Sequence, residues 1–129
     1  ITYLNSNNKY AIDPLEGYFS TRKQWIAQRD KRVKYFSGKG ENLPFRDSFF
    51  DLVIIDNVLD HCESPIDVLN EINRVITFGG IIFFRQNIYN YWGSLMRYFM
   101  ELFRIDKGHP FTFRKCQLEN YFRERRWVL

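Results

Sequence analysis

The sequence predicts an α/β fold in which helices flank a parallel sheet. Leu52-Val53-Ile54-Ile55 and Ile81-Ile82-Phe83-Phe84 are unbroken apolar runs of strand length, the pattern of strands buried on both faces of such a sheet. Between them Ile66, Leu69, Ile72 and Ile76 recur at helical spacing. Strand, helix and strand with short joints form a βαβ unit, whose crossover is nearly always right-handed.

Each element has its own signals. Lys9 to Asp13 reads as a short strand ending in a carboxylate, and Pro14 stops it because proline offers no amide proton to a ladder. Ser20 or Thr21 is placed to cap a helix running to about Arg32, with Trp25 and Ile26 inward. Val33 to Phe36 is a second strand, closed by Ser37-Gly38-Lys39-Gly40. Ser64 as N-cap, Pro65 at the first helical position and Asp67 three residues after the cap open the crossover helix, which Gly79-Gly80 is expected to end. Tyr91 to Ile105 is a helix with Trp92, Leu95, Met96, Phe99 and Phe103 on one face. Tyr98, Met100 and Leu102 add apolar surface elsewhere, so this helix either sits deep in a core or covers something. Gly108-His109-Pro110 is a turn, and Lys115 to Arg126 is a last amphipathic helix with Leu118, Tyr121 and Phe122 inward.

A chain of 129 residues makes a single domain. Its 45% hydrophobic and 19% aromatic content argues for a packed core and against disorder. The net charge of +4 is modest, with Arg114, Lys115, Arg123, Arg125 and Arg126 late in the chain. A basic tail can attract nucleic acid or anionic lipid; Glu119 and Glu124 interrupt this one and favour a solvated helix face. Cys62 and Cys116 are too few for a disulfide framework and read as free thiols of a reducing, cytoplasmic compartment. No run approaches the ~18 apolar residues of a membrane span, and no signal peptide opens the chain. The first residue is Ile, and the chain is expected to be part of something longer.

Chemistry is expected at strand ends, where open α/β sheets bind ligands. Asp13 can accept two hydrogen bonds from a ribose diol there; an Asp-Pro turn initiator is the alternative. Gly38-Lys39-Gly40 is too brief for a phosphate loop, and no helix follows it. Asp56 and Asn57 can hydrogen-bond a cofactor or acceptor, or Asn57 and Asp60 can do capping work. His61 can act as a general base or orient a loop. There is no HExxH, no Cys/His cluster and no Gly-x-Ser-x-Gly elbow, so no metal is expected.

Gly38 to Phe45, Phe50-Asp51-Leu52-Val53, Asp56 to His61, Arg74-Val75-Ile76 and Gly79-Gly80 come in an order that resembles the class I S-adenosylmethionine-dependent methyltransferases of the small-molecule type. The resemblance covers about Tyr10 to Asn87 and implies a Rossmann-like methyltransferase sheet with flanking helices. It implies S-adenosylmethionine as cofactor, held by Asp13, Pro14, Gly40, Glu41, Asn42, Asp56 and Asn57. His61 and His109 are the implied catalytic candidates, with His109 in a His-Pro segment on the acceptor side. The family carries an acid where this chain has Lys39, which leaves backbone groups of Gly40 and Glu41 for the adenine. The strand end lacks the Asn/Asp-Pro-Pro-aromatic sequence of amino methyltransferases, so nucleic acid is not the expected acceptor.

The family's first strand and Gly-rich loop have no counterpart before Lys9, where residues 1–8 contain no Gly. In the strand order 3-2-1-4-5 that strand is central. The chain is therefore expected to be a partial methyltransferase domain whose upstream residues supply it. The implied reaction is methyl transfer to a small-molecule oxygen, within a monomer or homodimer. The alternative is an inactive binding or structural domain of the same fold, and an NAD-dependent Rossmann domain ranks last.

Overall fold

The computed structural model describes residues 1, 4–102, 111–125 and 127–128. It contains β1 (Lys9–Asp13), α1 (Glu16–Phe19), α2 (Lys23–Ile26), β2 (Val33–Ser37), β3 (Phe50–Asp56), a 3₁₀ turn (Leu59–His61), α3 (Pro65–Val75), β4 (Ile76–Arg85), α4 (Tyr91–Leu102) and α5 (Lys115–Glu124).

The fold is α/β, and its strands form two separate parallel pairs, β1 with β2 and β3 with β4. These are the outer pairs of the order expected from the sequence. Among the described residues no strand occupies the position between them.

The α3 helix begins as its residues predict. Ser64 accepts a hydrogen bond from the Asp67 amide at 3.4 Å, and Pro65 occupies the first turn. Its inward face is Pro65, Val68, Leu69, Ile72 and Val75, while Ile66 is exposed. With Ile55, Leu59, Cys62, Phe113, Leu118 and Phe122, the α3 side chains form the core against which Val53, Ile82 and Phe84 pack. Arg125 and Trp127 tie the end of α5 to α3 by hydrogen bonds of 2.6 Å to Asn70 and 3.1 Å to Asn73.

Three expectations are corrected. Strands β3 and β4 are not buried on both faces: Leu52, Ile54, Ile81 and Phe83 are 37–67% exposed, because no described helix packs on that side. The segment from Ser20 to Arg32 is not one helix but the end of α1 followed by the single turn of α2. The Ser20 and Thr21 hydroxyls donate back to the carbonyls of Gly17 and Tyr18 instead of capping a following turn. Arg29 reaches back to Glu16 through paired 2.6 Å bonds and folds the segment on itself, leaving Trp25 and Ile26 exposed.

The glycine pair does not end α3 either. The helix stops at Val75, because Ile76 is already extended and pairs with Phe50 of β3. Pairing resumes at Leu52 with Ile81, so Thr77 to Gly80 bulge out of β4. Gly79 takes φ +77° there, and Phe78 is fully exposed. Thr77 Oγ1 anchors the bulge by donating to Phe50 O at 3.2 Å.

A Cβ on Gly80 would lie 2.6 Å from Ile76 Cγ1 and 3.0 Å from the Thr77 carbonyl. Gly80→Ala is therefore expected to destabilise the chain by about 1–3 kcal/mol, read as a lower midpoint in thermal or urea melts; an unchanged midpoint would show that the bulge adjusts freely.

Candidate functional site

Every residue picked from the sequence that the structure describes lies at or just beyond the carboxyl end of a strand. Asp13 and Pro14 follow β1, Gly40, Glu41 and Asn42 follow β2, and Asp56, Asn57 and His61 follow β3. His109 lies outside the described residues.

The β1 and β2 ends meet where the Gly38 amide donates to Asp13 O at 3.3 Å. A Cβ on Gly38 would lie 2.9 Å from Ile12 Cδ1, so a larger residue here would push the Ile12 side chain aside. The Asp13 carboxylate is exposed and accepts the Leu15 amide at 2.7 Å through Oδ1. This is the turn-initiating role the sequence offered, and Oδ2 remains unpartnered among the described residues.

The next loop is stitched to the N-terminus of α3. Glu41 Oε1 accepts the amides of Glu63 and Ser64 at 2.8 and 3.3 Å. Lys39 Nζ pairs with Glu63 at 2.6 Å, which raises its pKa above the ordinary lysine value. Gly40 packs on α3 closely enough that a Cβ would meet the Val68 methyls at 3.2 Å.

Arg74 holds the Leu43-to-Asp47 stretch. It donates to the carbonyls of Leu43 and Phe45 at 3.0 and 2.7 Å and to Asp47 at 2.8 Å. Both Glu71 oxygens accept from it at 2.7 Å, and Glu71 Oε2 also takes the Leu43 amide at 2.7 Å. Hydrogen bonding to Arg74, foremost, holds the Glu71 carboxyl below its usual range despite partial burial.

At the β3 end, Asp56 pairs across the ladder with Arg85 at 2.5 Å. Asn57 takes the left-handed conformation, φ +52°, which asparagine tolerates better than most residues. Its Oδ1 accepts from Gln86 Nε2 and the Asn87 amide at 3.3 and 3.1 Å. Gln86 also donates to buried Asp60 at 2.9 Å and accepts the Leu59 amide at 3.1 Å. Sequence reading missed Gln86; a polar residue directly after an apolar strand was the available signal. His61 is about half exposed, with Nε2 3.9 Å from Asp60 Oδ1. Cys62 is buried, and desolvation pushes its thiol up to about 11.

The basic tail is partly consumed by packing. Arg125 donates to Asn70 and to the Tyr121 carbonyl, and Lys115 lies 3.6 Å from Glu119. Among the described residues no group of His, Cys, Asp and Glu could hold a metal ion, and no helix is long and apolar enough to cross a membrane.

Comparison with known proteins matches residues 2–84 to a family described as methyltransferase domain. A demethylmenaquinone methyltransferase of Geobacillus sp. (strain WCH70) is 31% identical over 110 residues, 76% of this chain and 47% of that protein. An uncharacterized protein of Methanocaldococcus jannaschii is 42% identical over 61 residues, 46% of this chain and 30% of that protein. Among solved structures, a candidate methyltransferase from Bacillus halodurans superposes with a TM-score of 0.75 at 24% identity, over 90% of this chain and 51% of that one. At that identity the likeness shows the fold. The chain spans less than half the length of these two curated relatives.

Two measurements check this geometry. Iodoacetamide at mildly alkaline pH should label exposed Cys116 before buried Cys62, read by peptide mass spectrometry. Because the folded Cys62 value lies above the unfolded one, its stabilising contribution is complete below the unfolded value of 9.0 and is lost as pH rises through about 11. Glu71 has the opposite sign. Its folded value is depressed, so its contribution is present above the ordinary carboxylate range and lost as pH falls through the folded value. Glu71→Gln should flatten the acid limb of a melting-temperature profile, and an unchanged limb would remove Glu71 from the account.

Proposed function

The chain belongs to the methyltransferase domain family, and on that premise we propose that it takes part in S-adenosylmethionine-dependent methyl transfer to a small-molecule oxygen. The observation that carries this reading is that the Asp13, Gly40-to-Asn42 and Asp56-to-His61 segments all emerge at carboxyl strand ends, where ligands of open α/β sheets bind.

The residues present fit the adenosine half of the cofactor. Asp13 keeps one carboxylate oxygen unpartnered for a ribose hydroxyl, and Pro14 borders it on the exposed side. Among the described residues the amides of Gly40 and Glu41 donate no hydrogen bond, which leaves them for the adenine. Asn42 extends that rim, and Asn57 with its Gln86 and Asn87 partners forms the polar floor beyond β3. When bound, the cofactor supplies an electrophilic methyl group on a sulfonium. The protein's part is to align the acceptor and exclude water, which can lower a barrier by about 7–11 kcal/mol. His61, backed by Asp60, is the proposed proton acceptor among the described residues, and His109 is proposed for the acceptor side. A strand and glycine-rich loop between β1 and β3 would complete the methionine side.

A second reading, a fold that binds without catalysing, is favoured by Lys39 and Glu41. Lys39 replaces the family's acid and is paired to Glu63, and the Glu41 carboxylate is already engaged by α3 amides.

Calorimetry on the full-length protein separates the two readings. S-adenosylmethionine should bind, and Asp13→Ala should raise its Kd by about tenfold, since a charge-assisted hydrogen bond is lost. Absence of heat at about millimolar cofactor supports the non-catalytic reading. His61→Ala should lower kcat by less than about a hundredfold if alignment dominates, whereas general-base catalysis accounts for ~10²–10⁴.

A further inference from the structure

Helix α4 is turned inside out. Gly93, Ser94 and Arg97 face the protein, with Arg97 8% exposed, while Trp92, Met96, Tyr98, Phe99 and Leu102 are 46–71% exposed. At about 100° per residue, the outward apolar arc covers roughly 160° of the helix. Arg97 fixes this orientation by donating to the Tyr89 hydroxyl at 3.0 Å.

One edge of that arc borders a surface hollow of about 270 Å³, lined by Tyr91, Ser94, Leu95, Tyr98 and Arg114. Two polar groups there lack internal partners. The Arg114 guanidinium has no carboxylate partner among the described residues and lies 5.9 Å from the centre of the Tyr91 ring. Ser94 Oγ is buried with no hydrogen-bond partner. The hollow connects to the strand-end site through the backbone. Asn87 bonds to Asn57, and two residues on the Tyr89 amide donates to the Phe113 carbonyl at 2.9 Å, which places Arg114 beside α4.

We propose that this hollow binds the acceptor, and that the acceptor is an apolar small molecule carrying one anionic group such as a carboxylate. Arg114 takes the anion, and Ser94 donates the second hydrogen bond. Tyr91, Leu95 and Tyr98 take the apolar body, whose far end continues along the outward face of α4. The volume lies near the lower bound of small-molecule sites, about 300 Å³, which suits one ring or a short chain with the remainder on the helix. A second copy fits worse. The charged group lining the hollow is Arg114, and a symmetry mate would bring the same cation to it rather than an anion. This proposal rests on the methyltransferase reading only for the word acceptor.

The test titrates dodecanoate and neutral dodecanamide, below their micellar concentrations, into the full-length protein and follows the fluorescence of Trp92 against a Trp92→Phe control. Dodecanoate should bind at least about tenfold more tightly than the amide, and Arg114→Gln should abolish that preference. Arg114→Lys, which keeps the charge, should retain most of it and guards against a fold defect in the Gln variant. S-adenosylmethionine affinity should be unchanged in both. Equal binding of acid and amide, or an Arg114→Gln variant that still prefers the acid, overturns the proposal. Binding only in the presence of micelles or phosphatidylglycerol vesicles also overturns it and assigns the face to a lipid surface. Failure of S-adenosylmethionine to bind, with dodecanoate binding intact, strikes the methyltransferase reading alone.

Discussion

The ring of Tyr10 does what backbone hydrogen bonds do elsewhere in a sheet. The two strand pairs share no ladder, yet Tyr10 on β1 meets Phe45, Phe49 and Phe50 edge-on, each at 5.5 Å, and stacks on Phe36 of β2 at 6.1 Å. Such pairs contribute about 0.5–1.5 kcal/mol each beyond area burial, so the cluster is worth a few kcal/mol. Phe45 is also the residue whose carbonyl Arg74 grips. The aromatic cluster therefore connects β1, through the Leu43-to-Asp47 stretch, to α3. Loosening it would let the Asp13 end drift from the Asp56 end.

Helix α3 is the common reference for both halves of the site. Its N-terminus receives Glu41, its last turn supplies Arg74, and its buried stripe seats on β3 and β4. One helix thus fixes the rim after β2 and the floor after β3. The polar floor is internally satisfied through Gln86, which reaches Asn57, Asp60 and Leu59 at once. A network of that kind is rigid because each member's alternative is an unmet buried group.

What was legible in the sequence was local. Ser64, Pro65 and Asp67 encode their cap within four residues, and β3 is readable from Leu52 to Ile55 alone. What was not legible depended on partners far along the chain. Gly79-Gly80 looks like a helix stop until Ile76 is seen to pair with Phe50, which converts the same residues into a bulge. Leu52 and Ile54 look doubly buried until one asks which element covers their side. The positions of the candidate residues followed from strand ends, but their engagement did not. That Asp13 spends one oxygen on Leu15, and Glu41 its carboxylate on α3, required tertiary geometry. Gln86 was missed because its polar position after β4 gives no hint of the partners it bridges, Asn57, Asp60 and Leu59.

The Lys39–Glu63 pair joins two loops at the mouth of the site, yet its side chains are 53% and 78% exposed. In high dielectric, and with two long side chains to hold in place, exposed pairs of this kind contribute only about 0–1 kcal/mol. The bonds from the Glu63 and Ser64 amides to Glu41 lie beside it and are shorter-range and less sensitive to salt. The mouth therefore has two fastenings that respond differently to electrolyte. Added salt weakens the outer one further and leaves the inner one in place, so the loop after β2 stays joined to α3 as electrolyte rises.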